Sequence, residues 1–95
     1  MIIRSVRLSS AARVDIDRLT DFLASKSERA AYRAADAITS AVLSLREFSE
    51  RGHPATHAGW RELVVRFGHS GYVIRYKVEG ETVFVSRIFH GREDR

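Results

Sequence analysis

Six side chains in the C-terminal half have the types that anion chemistry needs: Arg61, Arg75, Lys77, Arg87, His90 and Arg92. Guanidinium and ammonium groups on neighbouring strands can hold phosphates and offset the charge developing on a phosphorane, and an imidazole can move a proton. Together they make the minimum kit of a metal-independent ribonuclease, which needs no cysteine and no cofactor. The same six residues also suit a surface that docks an acidic protein or a nucleic-acid backbone, or a solvated basic face. Other chemistries lack parts. The chain has no cysteine, which removes disulfides, thiolate metal sites and thiol nucleophiles. It has neither G-x-x-x-x-G-K-S/T nor G-x-G-x-x-G, so no glycine-rich phosphate cradle is expected. Asp15, Asp17 and Asp21 have no second converging segment with which to hold a cation, and pairing with a base or solvation accounts for them. His53 and His57 are four apart but bracket Pro54 in a loop, and His69 lies in a turn. No metal and no cofactor is expected.

The elements that must position the basic residues follow from periodicity. Residues 2–8 alternate and are β-branched enough for a strand. Ser9 and Ser10 offer an N-cap, with Asp15 and Asp17 early in the helix that follows. Ala12, Ile16, Leu19 and Leu23 recur at helical steps, with Phe22 widening the stripe. Ser25-Lys26-Ser27-Glu28 has the spacing of a capping box that restarts a helix. Ala31, Ala34 or Ala35, Ile38, Val42, Leu45 and Phe48 continue the period, and Gly52 is placed to end it ahead of Pro54. So short a break predicts an antiparallel helical hairpin. Beyond Gly59 the period drops to 2. Leu63, Val65 and Phe67 alternate with Glu62, Val64 and Arg66, and Gly68-His69-Ser70-Gly71 is a turn. Tyr72, Ile74, Tyr76 and Val78 alternate with Val73, Arg75 and Lys77. Glu79-Gly80-Glu81 is a second turn before a strand from Thr82 to Phe89. The architecture is therefore α+β, β-α-α-β-β-β, with the hairpin on one face of a four-stranded, mainly antiparallel sheet. Arg75 and Lys77 are expected on the uncovered face. The register of the last hairpin decides whether Arg87 joins them.

Composition fits one domain over residues 1–95: 44% apolar, 29% charged, one proline and six glycines leave no room for a linker or a low-complexity segment. No apolar run approaches the roughly 18–20 residues that span a bilayer, and no basic leader precedes an apolar stretch, so a cytoplasmic protein is expected. The net charge of +4 is unevenly spread. Residues 1–13 hold three arginines and no acid. Residues 61–77 hold four bases against Glu62, whereas residues 15–50 hold seven acids against five bases. Such a distribution points to an anionic partner on one side.

The ordered motifs resemble those of the ParE toxins of the RelE/ParE superfamily, the toxic halves of type II toxin–antitoxin modules, often called plasmid stabilisation proteins. Leu8-Ser9-Ser10-Ala11-Ala12-Arg13-Val14-Asp15-Ile16 is similar to the family's L-x-x-x-A-x-x-D-L. Leu45-Arg46-Glu47-Phe48 with Arg51-Gly52-His53-Pro54 is similar to L-x-x-x-P-x-x-G-x-P, with Phe48-Ser49 where a proline often stands. Trp60-Arg61-Glu62-Leu63 matches R-x-L, and Tyr72 to Val78 matches Y-x-I-x-Y-x-V. Arg87-Ile88-Phe89-His90-Gly91-Arg92-Glu93-Asp94 is similar to the R-I-x-H-G-x-x-D ending. The resemblance implies inhibition of DNA gyrase and neutralisation by a cognate acidic, ParD-like antitoxin. The superfamily's ribosome-dependent mRNA endonucleases place bases on central strands and an acid–base tyrosine or histidine near the C-terminus. Arg61, Lys77 and His90 occupy comparable places, but Gly91 follows His90 and no tyrosine lies beyond Tyr76. The tail is expected to matter: Gly91 would turn the chain with a positive φ, and Asp94 would hold Arg92 against the body.

Overall fold

The computed structural model describes residues 2–93, and Asp94, with its expected role toward Arg92, lies outside them. The elements are β1 (Ser5–Leu8), α1 (Ser10–Ala24), α2 (Glu28–Ser44), β2 (His53–Pro54), β3 (Trp60–Val65), β4 (Tyr72–Glu79) and β5 (Thr82–His90). Ser9 caps α1, its side chain accepting from the Ala12 N–H at 2.9 Å. No acid lies in the first turn of α1, so Asp15 and Asp17 sit too deep to answer the helix dipole as expected. Ser27, not Ser25, caps α2, accepting from Ala30 N–H at 3.1 Å, and the spaced Ser–Glu box is unused. The second helix also stops early, at Ser44, in a tightened turn where the Arg46 N–H donates to Leu43 O. Gly52 is no left-handed cap. Its φ is not positive, and a Cβ there would press on the Tyr76 ring and hydroxyl at 2.8 Å. The Tyr76 hydroxyl donates to Ser49 O and accepts from Gly52 N–H, both at 2.8 Å, knotting the post-helix loop to the sheet.

The sheet has five strands in the order β1-β5-β4-β3-β2, one more than expected because His53 and Pro54 pair with Glu62 and Arg61. A two-residue pairing leaves no periodicity to detect. β1 runs parallel to β5, and the other pairs are antiparallel. The helices cover one face, where Ala12, Leu19, Ala34, Ile38 and Leu45 meet Leu63, Ile74, Tyr76, Val83, Val85 and Ile88 in the core. A bulge in β5 sets what faces outward. Arg75 pairs with Arg87 but Tyr76 pairs with Val85, so Ser86 is the additional residue. Val83 and Val85 point into the core before it, and Ile88 points into the core after it. Without the bulge, Arg87 would share the buried face of Val85.

Candidate functional site

The bulge brings Arg87 beside Arg75, with Lys77 further along the same uncovered face. Aromatic rings lie between these cations. The Phe89 ring has the guanidinium carbons of Arg75 and Arg87 each 5.0 Å from its centroid, and Lys77 Nζ stands 5.0 Å from the Trp60 ring. Trp60 meets Phe84 edge to face at 6.4 Å. Each cation also has an acid: Arg75 with Glu62 at 3.0 Å, Lys77 with Glu79 at 3.3 Å, and Arg87 with Asp15 at 2.8 Å. These side chains remain about a third to nearly half exposed, at 31%, 32% and 44%. The face can therefore meet an anion while its own ion pairs fix the cations in place.

Asp15 is the keystone of the adjoining edge. β1 ends at Leu8, opposite Val85, so β5 runs on past its neighbour and α1 covers the remainder. The Asp15 carboxylate is 2% exposed and accepts from Arg87 Nε and Nη2, from the Ile88 N–H at 2.8 Å, and from Arg18 at 3.3 Å. Burial pushes its pKa up, but the donors from Arg87, Ile88 and Arg18 outweigh burial and hold it below the ordinary value. Arg18 also grips Glu93, whose carboxyl that bond holds below its usual range. A chain of charges thus runs from Arg87 through Asp15 and Arg18 to the tail.

Arg61, His90 and Arg92 lie elsewhere. Arg61 pairs with Tyr76 on the helix-covered face and donates to Gly52 O at 2.6 Å, which ties down the loop. His90 pairs with Tyr72, their rings edge to face at 6.0 Å, at the far end of the sheet. Both line an apolar groove of about 570 Å³ between Leu19, Phe22 and Leu23 of α1 and the β3–β4 turn, with Arg18 and Arg92 at the polar end. His90 Nδ1 accepts from the Arg92 N–H at 3.2 Å, so in the neutral ring the proton sits on Nε2. Burial raises the Tyr72 phenol. Lys77 stands on the opposite face, five residues along β4 from Tyr72, a distance of about 17 Å. Arg61, Lys77 and His90 therefore occupy three separate places. Gly91 has no positive φ. Its N–H donates to Gly71 O at 2.9 Å, and a Cβ there would collide with the Ser70 carbonyl.

Sequence reasoning missed Asp15, Arg18, Tyr72 and Glu93. One signal was present: Asp15 falls inside the apolar stripe of Ala12, Ile16 and Leu19, where a carboxylate needs a partner. Among the described residues no group of three or more histidine, cysteine, aspartate or glutamate side chains is placed to hold a metal ion. No described helix is long and apolar enough to cross a membrane.

A helical hairpin on one face of a five-stranded mixed sheet defines the RelE/ParE-like α+β fold. The structure superposes with a TM-score of 0.82 on a chain of the chromosomal ParDE toxin–antitoxin system from P. aeruginosa, at 21% identity over 93% of this chain and 96% of that one. A chain of the RelBE2 toxin–antitoxin complex from Mycobacterium tuberculosis gives 0.66, at 22% identity over 94% and 99%. Residues 6–95 match the family described as ParE toxin of type II toxin–antitoxin system, parDE, and the chain belongs to that family. It is 40% identical to Toxin RelE1 of Caulobacter vibrioides over 96% of this chain and 97% of that protein. Toxin RelE3 of the same organism is 38% identical over 97% and 99%.

Proposed function

We propose that this toxin acts by binding rather than by hydrolysis, that DNA gyrase is its target, and that a cognate acidic antitoxin neutralises it. The observation that carries the reading is the dispersal of Arg61, Lys77 and His90. An acid–base group works only within hydrogen-bond reach of the reacting atoms, and charge stabilisers must aim at the same phosphate. A side chain on the opposite face about 17 Å away does neither. The ordered cations of Arg75, Lys77 and Arg87, interleaved with rings, suit a docking surface instead. Gyrase itself enters from the family resemblance, and the basic surface supports an acidic partner.

The deciding experiment induces the chain alone in cells and scores cleaved DNA and plasmid supercoiling beside mRNA cleavage. Accumulating DNA breaks with intact transcripts are expected. Transcripts cut within codons on ribosomes would overturn the reading. Co-expression with the neighbouring small open reading frame should give a stable complex, and two proteins eluting separately at micromolar concentration would refute the antitoxin.

One observation favours ribosome-dependent mRNA cleavage as the second reading: His90 and Tyr72 share a groove with Arg18 and Arg92. Under that reading, His90→Ala would lower the cleavage rate about 100-fold or more. Under the first, it leaves transcripts intact as before.

A further inference from the structure

The groove of about 570 Å³ between α1 and the β3–β4 turn has an apolar body and a cationic mouth. Leu19, Phe22, Leu23 and Phe67 wall the body, and Phe22 is 64% exposed. Tyr72 lines it too, only 3% exposed, with its ring 5.8 Å from that of Phe67. The Tyr72 hydroxyl meets no hydrogen-bond partner among the described residues, and burial alone raises its pKa. No fully sealed side-chain oxygen among those residues lacks a partner, so this hydroxyl opens into the space that Tyr72 lines. At the mouth a carboxylate is already present. The Glu93 N–H donates to His90 O at 2.9 Å, closing a turn that returns its side chain to Arg18. Both Glu93 oxygens accept from the Arg18 fork, the second at 3.3 Å. Arg92, exposed on the same wall, has no acid partner among the described residues.

We propose that this groove binds a small hydroxyaryl carboxylate, whose acid exchanges with Glu93 on Arg18 and whose ring lies against Phe22, Phe67 and Tyr72. Mostly apolar pockets of about 300–1,000 Å³ with a few fixed polar groups suit ligands of this kind. The acid follows from the mouth, where the group that Arg18 already holds is a carboxylate and Arg92 adds a second cation. The aryl ring follows from the wall, because Phe22, Phe67, Tyr72 and His90 offer the faces and edges that an aromatic ring pairs with. The hydroxyl on that ring gives Tyr72 the hydrogen bond it lacks. Asp15 keeps Arg18 in place during the exchange, bonded at 3.3 Å. Binding withdraws Glu93 from Arg18 and so loosens the turn that seats the tail. The site goes beyond the reading of the toxin as a gyrase binder and does not depend on which target the toxin has.

The test titrates hydroxynaphthoate into the ¹⁵N-labelled full chain, with the matching hydroxynaphthalene methanol as the neutral control. Saturable shifts of the Leu19, Phe22, Tyr72 and His90 amides are expected, with a dissociation constant on the order of 0.1–1 mM for so small a ligand. The alcohol should bind at least about tenfold more weakly. Glu93→Gln removes the competing carboxylate and should tighten binding about threefold or more, whereas Arg18→Gln should weaken it about tenfold. Glu79→Gln removes an acid at the opposite end of β4 from Tyr72 and should leave binding unchanged. Hydroxynaphthoate should outbind plain naphthoate about threefold, and Tyr72→Phe should erase that margin. Should Arg18→Gln fail to fold, the Glu93 and alcohol arms still decide. Equal binding of acid and alcohol overturns the inference, as do shifts confined to Trp60, Phe84 and Phe89 on the other face. A Glu93→Gln variant that binds as Glu79→Gln does, or a margin that survives in Tyr72→Phe, overturns it too. Tighter binding of adenosine monophosphate at the same amides would assign the groove to nucleotides and overturn the carboxylate.

Discussion

At the scale of single residues, two buried polar groups carry more than their neighbours. Asp15 joins α1 to a strand end that no other strand covers. Asp15→Asn should cost about 1–3 kcal/mol in urea denaturation, because both carboxylate oxygens accept from donors and the amide NH2 that replaces one of them would face a donor instead. Asp15 and Glu93 both titrate below their unfolded values, so their stabilisation is complete above roughly pH 5 and is lost as pH falls through the lower folded values. Asp15→Asn should therefore flatten the acid limb of the stability–pH curve, and an unchanged limb would show that the carboxylate contributes nothing. Tyr76→Phe leaves the Gly52 amide and the Ser49 carbonyl buried without the phenol between them. Its expected cost is about 1–3 kcal/mol with little change in the denaturant slope.

At the scale of elements, the strands and helices were legible because their apolar periods are long. β3, β4 and β5 stand within a few residues of where alternation placed them, and the helical hairpin stands as expected. What escaped depends on single positions. Neither the two-residue β2 nor the Ser86 bulge leaves a repeating signal, yet the bulge decides which face Arg87 joins. Asp15 was read as a helix acid either paired with a base or solvated; it is paired, with Arg18 one turn on, but its bonds to Arg87 and the Ile88 N–H escaped because helical spacing does not record what lies across the sheet edge. The tail was expected to dock through Asp94, but within the described residues Glu93 reaches Arg18 and Gly91 packs on Ser70. Deleting residues 91–95 should still leave the fold intact, because the core strand is complete at Ile88 and Phe89. It should also reduce toxicity by removing Arg92 and Glu93 from the groove wall. Unchanged toxicity would refute the functional part, and a chain that no longer melts cooperatively would make the tail structural.

At the scale of the whole molecule, the net +4 is divided between the N-terminal segment and the central strands, with the helices mildly acidic. An acidic partner would be steered by such a distribution toward the sheet and the N-terminal segment. Association of the co-expressed pair should slow by about tenfold or more as ionic strength rises from roughly 0.05 to 0.5 M, with dissociation little affected. Stopped-flow mixing measures both, and an association rate indifferent to salt would remove electrostatic steering.

The order of strands has a consequence in time. β5 lies inside the sheet, between β1 and β4, and it follows every other described element in chain order. Until it emerges, β1 has no strand to pair with, Asp15 has no Arg87, and the sheet side of the core lacks Val83, Val85 and Ile88. A nascent chain can form its helical hairpin early, because those contacts are local, but it cannot close the sheet. The basic face of Arg75, Lys77 and Arg87 is thus assembled only once β5 has joined the sheet.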